Sequence, residues 1–437
     1  MVIVSMTLAF LFMLIRKLIT KLRILYRCYK FSKTIKGPNT AELKVNKTSD
    51  RLLKWLKSCR QQYGKIFCVW SGTEFAVVIT DREDVEMVIS NEDIPKKSSI
   101  FKKVPNWIGQ GLSHDDWGKV RKLSTTEFSF SQIVENNCQT LISNIEDHGY
   151  KSPFDIAPIF SKYSLNICCE IALGVKKNSD FVGILRNHFE SSEVQGSFMT
   201  HEGRKIKAAI KFIHKHTMDI IKAKKGNVTN IDSFIDFLLH AQKNGISLIT
   251  KNIRDEVHRF ILEGQSTMTT ILSFAVHLLS MHPEAQQRAY EEITNCEGSK
   301  KPYLEAVVKE TVRLFPPVPI VSRLLSQDLL IRNMLIPKGA HLEMLSYIAN
   351  RDFNEFQDPC RFLPERFMSI DSADPIGYSD FKGGLKIWNR QFELRALTSI
   401  LRNFEVLPVD NFEPEIVFDG TIKSRHGIQV CLKKRVI

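Results

Sequence analysis

The sequence has few cysteines, and their spacing excludes several classes of protein. Nine occur among 437 residues, and none forms a Cys-x-x-Cys pair. This pattern excludes a disulfide-stabilised scaffold and argues against a zinc module or a thioredoxin-type site. The odd count fits reduced thiols in a reducing compartment. Hydrophobic residues (43%) and charged residues (25%) occur in the proportions of a packed globular protein, which excludes a disordered chain.

Acidic residues are absent from the start of the chain, where basic residues are concentrated. No Asp or Glu precedes Glu42, whereas residues 16–36 contain eight Lys or Arg. Because the whole chain has a net charge of +13, the remainder carries only +5. A nucleic-acid-binding protein concentrates basic charge on its folded domain. We therefore expect no nucleic-acid partner.

Only one long apolar run is present, over residues 1–15. As a helix it would reach about 22 Å, less than the ~30 Å hydrocarbon core of a bilayer. Residues 18–30 extend it as an amphipathic helix whose basic side chains suit a membrane interface. A cleaved signal peptide is the alternative, but here the positive charge follows the apolar run, and no small-residue cleavage site is visible. We predict an uncleaved membrane anchor over residues 1–36, with the rest of the chain on the cytosolic side.

Helical periodicity dominates the remainder of the chain, residues 37–437. The clearest pattern covers residues 252–282, a second covers 304–314 and stops at Pro316-Pro317, and short strands are predicted at 66–70, 75–80, 329–336 and 428–432. No Gly- or Ser-rich linker follows Gly37-Pro38. The pattern predicts one large, mainly α domain with a small β region, an α+β fold class.

A carboxylate and a guanidinium lie three residues apart in Glu310-Thr-Val-Arg313, which places both on one helix face. Alone, this spacing is equally typical of a solvated surface pair. Its neighbours make it specific: the run from Tyr303 to Pro319, and Phe362-Leu-Pro-Glu-Arg-Phe367. Together these motifs resemble the cytochrome P450 superfamily, most closely microsomal family 4, which is rich in lipid ω-hydroxylases. The resemblance implies the P450 fold, a haem cofactor and location at the endoplasmic reticulum membrane.

The resemblance also implies roles for individual residues. Arg366 completes a structural triad with Glu310 and Arg313, for which the rigid, always-charged guanidinium is well suited. Thr267 and Ser266 match the oxygen-activating pair of the central helix, although Ser266 stands where the family has an acid. The residues that the resemblance places at the haem are Trp117 and Arg121 at one propionate, Arg323 at the other, and Glu263, which in many family 4 members is ester-linked to the haem and is otherwise an ordinary helix acid.

The stretch that matches the haem-binding loop departs from the family. Trp388 stands at the position of the iron-ligating Cys, Lys386 replaces an Arg, and Arg390 replaces a Gly. An indole nitrogen has no free lone pair in the ring plane, so Trp388 cannot ligate iron. No His, Cys, Met or Tyr lies between residues 381 and 395, and Lys386 could ligate only after losing its proton. No other metal site is expected.

Three segments are shortened against the family: between residues 189 and 205, between 292 and 303, and between 391 and 393. Three hypotheses for function follow. The first is a haem monooxygenase that takes electrons from NADPH–cytochrome P450 reductase and hydroxylates an apolar substrate such as a fatty acid. The second is a membrane-tethered pseudoenzyme that keeps the fold. The third is a pseudogene product that folds poorly or is never made, while a gene model with misplaced exon edges belongs with the first.

Overall fold

The computed structural model describes residues 2–46, 48, 50–91, 94, 120, 130–148, 152–174, 182–185, 201–226, 231–295, 301–369, 374–376 and 385–435. The side chains of residues 2–5, 8, 9, 202 and 385–389 are not described within that set. Two sequence-predicted site residues, Trp117 and Arg121, lie outside the described residues, and so does residue 381, where the haem-loop match begins.

The described chain is mostly helical with short strands, which confirms the predicted fold class. The helices are α1 Val2–Ser32, α2 Thr40–Asn46, α3 Leu52–Tyr63, α4 Arg82–Ser90, α5 Ser131–His148, α6 Ala157–Leu173, α7 His201–Lys224, α8 Phe234–Lys243, α9 Thr250–Met281, α10 Pro283–Asn295, α11 Pro302–Leu314, α12 Ser346–Ala349 and α13 Leu385–Asn403, with a 3₁₀ turn at Pro364–Phe367. The strands are β1 Ile66–Ser71, β2 Glu74–Ile79, β3 Phe154–Asp155, β4 Val321–Leu324, β5 Leu329–Ile331, β6 Met334–Ile336, β7 His341–Met344, β8 Phe404–Leu407, β9 Ile416–Asp419, β10 Thr421–Ser424 and β11 Gln429–Lys434.

The chain divides into two compact units. The first unit comprises Met1–Lys103, Val318–Cys360 and Ile416–Gly420. The second comprises Val104–Pro317, Arg361–Glu415 and Thr421–Ile437.

A four-stranded sheet in the order β1-β2-β7-β4 forms the core of the first unit. Strands β1 and β2 are antiparallel and joined by a two-residue turn at Gly72, whose φ of 64° suits the left-handed turns that connect hairpins. Strand β2 is buried from Phe75 to Ile79 because it lies between β1 and the parallel strand β7.

The C-terminal end of helix α1 packs against the rest of the first unit. Cys28 is buried, the ring of Phe31 packs edge-on against Phe75 with centroids 6.2 Å apart, and Arg27 pairs with Asp328 at 2.6 Å. Gly37 lies so close to the backbone carbonyl of Cys68 that a side chain there would overlap it, so the predicted boundary falls in a packed segment. Within the described part of the chain, no helix combines the length and the apolar character needed to cross a bilayer.

Helix α9 forms the centre of the second unit. It packs along α6, and an amide hydrogen bond from Gln265 to the hydroxyl of Ser161 (2.9 Å) links the two helices. Thr270 donates to the carbonyl of Ile422 at 3.0 Å, which ties α9 to β10. The sheet β3-β11-β8 lies in the same unit. Its β8 edge is closed by Gln286, whose side chain donates to the Val406 carbonyl (2.8 Å) and accepts from the Val406 amide (2.7 Å).

Candidate functional site

Helix α11 carries a fully buried ion pair. Arg313 donates to both carboxylate oxygens of Glu310, at 2.7 and 2.8 Å, and both side chains have no solvent exposure. The same carboxylate accepts from the backbone amide of Leu363 at 2.9 Å, and Arg366 lies 3.4 Å away. Arg313 also donates to the carbonyl of Arg361 at 3.1 Å. The structure thus brings together the three residues predicted as a triad, and they clamp the 3₁₀ turn onto α11.

The triad satisfies the usual condition for burying charge. Removing two ions from water is costly unless their geometry is good and their remaining hydrogen-bonding groups are satisfied. Here the guanidinium meets the carboxylate in the bidentate arrangement that gives the strongest pairs, and backbone groups occupy further positions on both partners. The arrangement is a structural clamp that fixes one segment of the chain.

The two hydroxyls predicted to be catalytic, those of Thr267 and Ser266, lie on α9, and both contact the same backbone carbonyl. Thr267 is buried and donates to the carbonyl of Glu263 at 2.8 Å, while Ser266 approaches that oxygen at 3.4 Å. Such hydroxyl bonds to the preceding turn compete with the helix ladder and favour a local bend. The Glu263 side chain is exposed. These hydroxyls can pass a proton, but neither can supply one near neutral pH, and the helix offers no acid at Ser266.

Arg323 lies in the first unit, on β4. Its side chain is buried, with 4% exposure, and one guanidinium nitrogen donates to the carbonyl of Ser322 at 3.1 Å. A buried guanidinium is suited to an anionic group such as a propionate. Its backbone pairs with Leu342 of β7, so the sheet fixes its position.

Helix α13 contains the departures from the family pattern. Lys386 and Trp388 lie in its first turn, and their side chains are not described. Arg390 forms an ion pair with Glu305 of α11, and Lys309 of α11 lies 3.9 Å from the same carboxylate. The residue that replaces the family's glycine therefore ties α13 to α11. Sequence reasoning did not predict this contact.

A buried acid on α13 also escaped the sequence analysis. Glu393 has 2% exposure, and its Oε1 has no hydrogen-bond partner among the described residues. Burial raises its pKa to about 8, partly opposed by the positive charge of Arg390. The backbone carbonyl of the preceding residue, Phe392, accepts a hydrogen bond from buried Tyr163 at 3.0 Å. The only sequence signal was an acid between two apolar residues, Phe392 and Leu394.

None of the described thiols lies on α13, although Cys138 of α5 contacts that helix through Ser399. Six cysteines are buried, Cys360 is exposed, and Cys431 on β11 is partly exposed. Burial raises the pKa of Cys168 and of Cys59 to about 12, so both remain protonated thiols at neutral pH. No group of three His, Cys, Asp or Glu able to hold a metal ion occurs within the described ranges.

Comparison with known proteins identifies the family. A cytochrome P450 family model matches residues 38–378. The chain belongs to the cytochrome P450 family. Its relatives place it in the family 4 type: it is 31% identical to a probable cytochrome P450 4s3 of Drosophila melanogaster, with 94% of this chain and 93% of that protein aligned. It is 28% identical to cytochrome P450 4d2 of the same species, over 88% of this chain and 90% of the relative.

Two details of these comparisons concern the departures from the P450 pattern. The family match ends at residue 378, before the stretch that contains Trp388. The alignment with cytochrome P450 4s3 extends over 462 positions, more than the 437 residues of this chain, so the relative has residues that this P450 lacks.

P450 proteins bind haem, and the donor set of this chain does not fit it. The family holds the iron through a cysteine thiolate, which supplies the electron density that cleaves the O–O bond. Residues 381–395 contain no Cys, His, Met or Tyr, and a tryptophan indole is a hydrogen-bond donor only. The family resemblance assigns Trp117, Arg121 and Arg323 to the haem propionates, and it places Trp388 where the proximal iron ligand stands.

Proposed function

We propose that this P450 retains the family fold but does not catalyse monooxygenation. The observation that carries the proposal is Trp388 at the position of the proximal cysteine, with no alternative iron ligand from residue 381 to 395. Lys386 could serve only as a neutral amine, which requires burial to remove its proton. The buried thiols of the described chain lie on elements other than α13, which supports the absence of a replacement ligand.

The scaffold and the catalytic loop have diverged to different degrees. The Glu310–Arg313 pair is fully buried and Arg366 lies beside it, which supports a folded P450 framework. The family match that stops at residue 378 supports a loss of the family pattern in the segment beyond it. Ser266 in place of the family's acid supports the same conclusion from a second site, because bound dioxygen would lack its nearby proton source.

We further propose that residues 1–36 hold the protein at the cytosolic face of the endoplasmic reticulum membrane. The exposed apolar side chains of α1, among them Phe10, Phe12 and Leu18, and the basic residues that follow them support a membrane-bound helix. A P450 of this kind would face NADPH–cytochrome P450 reductase and apolar lipid substrates. Without a proximal ligand it would accept no electrons for oxygen chemistry.

Spectroscopy of the purified full-length chain tests the proposal. We expect the reduced, carbon-monoxide-treated protein to lack the thiolate-type Soret band, and haem to be substoichiometric. Trp388→Cys supplies the missing thiol, and Trp388→Ser is the matched control because it removes the indole without adding a thiol. A thiolate-type band in the unmodified chain would refute the proposal. A band in the cysteine variant alone would assign the defect to this one position.

A working monooxygenase is the second candidate, favoured by the family match itself. It requires that the natural transcript differ from this sequence. Sequencing the transcript across codons 285–400 decides the matter. If a cysteine codon and the missing residues are found, the protein is an active P450 with Thr267, Arg121 and Arg323 in their family roles. If Trp388 is encoded, two hypotheses remain, a pseudoenzyme and a pseudogene product. Abundant, protease-resistant protein in the native tissue would refute the pseudogene hypothesis.

A further inference from the structure

Helix α7 exposes a row of positive charge that the proposed function does not use. Residues 201–225 contain eight Lys or Arg and only two acids, Glu202 and Asp219. The stretch 201–225, eight basic residues less two acids, therefore carries +6, more than the +5 of the whole chain outside residues 16–36. The exposed basic residues are Arg204, Lys205, Lys207, Lys211, Lys215, Lys222 and Lys225.

Five of these residues share one narrow strip of the helix surface. At 3.6 residues per turn, residues 204, 207, 211, 215 and 222 fall within an arc of about 80° and extend about 27 Å along the axis. We call these five residues the basic strip. None of them forms an ion pair with an acid among the described residues. Like charges three and four residues apart repel one another, so a strip of this kind weakens the helix unless a partner offsets it.

The opposite face of α7 is already occupied. Ile213, Thr217 and Ile221 are fully buried, and Thr217 lies 2.9 Å from a ring nitrogen of His258 on α9. At the end of the helix Lys224 turns inward and pairs with Asp236 at 2.8 Å. The helix is thus fixed to the second unit by its apolar face and its last turn, and the basic strip points away from those contacts.

We propose that the basic strip binds the anionic headgroups of a lipid surface. Its charge is complementary to such a surface, and each Lys or Arg near an anionic membrane contributes about 1 kcal/mol of binding. Four of its five members are lysines, which act as flexible point charges and suit mobile headgroups. Lysine is depleted from protein–protein interfaces, where arginine and aromatic residues predominate. Single-stranded nucleic acids bind to surfaces with several aromatic rings on which bases stack. Near the strip only Phe212 is an exposed aromatic residue, so this surface does not suit them.

Vesicle binding by the full-length protein tests this inference. The measured quantity is the ratio of binding to phosphatidylcholine vesicles containing about 30% phosphatidylserine over binding to pure phosphatidylcholine, at about 0.1 M salt. Lys207→Glu/Lys211→Glu/Lys215→Glu should lower that ratio roughly a hundredfold, and the three glutamine substitutions should lower it by less. The control reverses three exposed lysines elsewhere, Lys54, Lys57 and Lys243, with the same change in net charge.

The outcomes separate the basic strip from the anchor. An unchanged ratio in the strip variant, or an equal fall in the control, would overturn the inference. A strip variant that keeps the ratio but loses binding to a single-stranded RNA oligonucleotide would assign the surface to nucleic acid and would also overturn it. If residues 1–36 fail as an anchor, binding to pure phosphatidylcholine is absent from every variant. The strip variant should then still bind the phosphatidylserine-containing vesicles less than the control does.

Discussion

Replacing Glu393 by Gln should remove a pH dependence from the stability of this P450. The carboxyl is 2% exposed on α13, and burial raises its pKa from the ordinary 4.5 to about 8. The groups around it do not titrate in that window. Burial places the pKa of Tyr163 well above its usual range, and Arg390 remains charged.

The direction and size of the effect follow from the two pKa values. Because the folded state holds the proton more tightly than the unfolded chain, the free energy of unfolding falls as pH rises from about 4.5 to about 8. The full loss is on the order of 5 kcal/mol. Glutamine keeps the shape of the protonated acid and cannot ionise, so the variant should lose this dependence and be the more stable form at pH 8.

Chemical unfolding at pH 5, 6.5 and 8 measures the effect for the unmodified chain, for Glu393→Gln, and for Glu413→Gln, an exposed control. Buried His258 and His277 have pKa values lowered to about 3 and about 4, and they make stability rise with pH below about 6.5. Their contribution is common to all three proteins and cancels in the difference. A Glu393→Gln variant with the same pH slope as the unmodified chain would refute the reasoning.

Two further substitutions test the structural framework by their effect on the free energy of unfolding. Glu310→Gln leaves a buried guanidinium without its counter-charge and should cost about 3–5 kcal/mol. Glu365→Gln, in a half-exposed ion pair, should cost less than about 1 kcal/mol, and equal losses would contradict the burial argument. Gly427→Ala strains a φ of 69° and drives a methyl group into the carboxylate of Asp155, so it should destabilise more than Gly245→Ala, whose φ of 87° opens onto free space. Thermal unfolding that ranks Gly245→Ala as the worse variant would show that backbone strain outweighs the overlap.

Periodicity predicted the long helices well because their burial repeats with the helical turn. The pattern over residues 252–282 corresponds to α9, Thr250–Met281, and the pattern over 304–314 corresponds to α11, Pro302–Leu314. The Glu310–Arg313 spacing placed both groups on one face, but their complete burial depends on the 3₁₀ turn at Pro364–Phe367, more than fifty positions later in the chain. Local sequence does not contain that information.

Other features depend on contacts that no local pattern encodes. The pairing of Arg390 with Glu305 needs two helices separated by seventy or more residues to lie side by side. The raised pKa of Glu393 results from burial that a single acid among apolar neighbours does not predict. The positive charge of α7 is present in the sequence. The net charge of the whole chain outside residues 16–36 does not reveal it, because acidic residues elsewhere offset it in the sum.

The unbroken course of α1 has a mechanical consequence. Its 31 residues form one helix, and its end is held by the burial of Cys28, the Phe31–Phe75 contact and the Arg27–Asp328 ion pair. A continuous helix fixed at one end is stiff, so a force on its free end is transmitted to the contacts that fix it. Whatever surface receives its apolar end therefore exerts a torque on the first unit through these few contacts. Breaking the Arg27–Asp328 ion pair would weaken the attachment of α1 to the first unit and would not change the apolar residues at the other end of the helix.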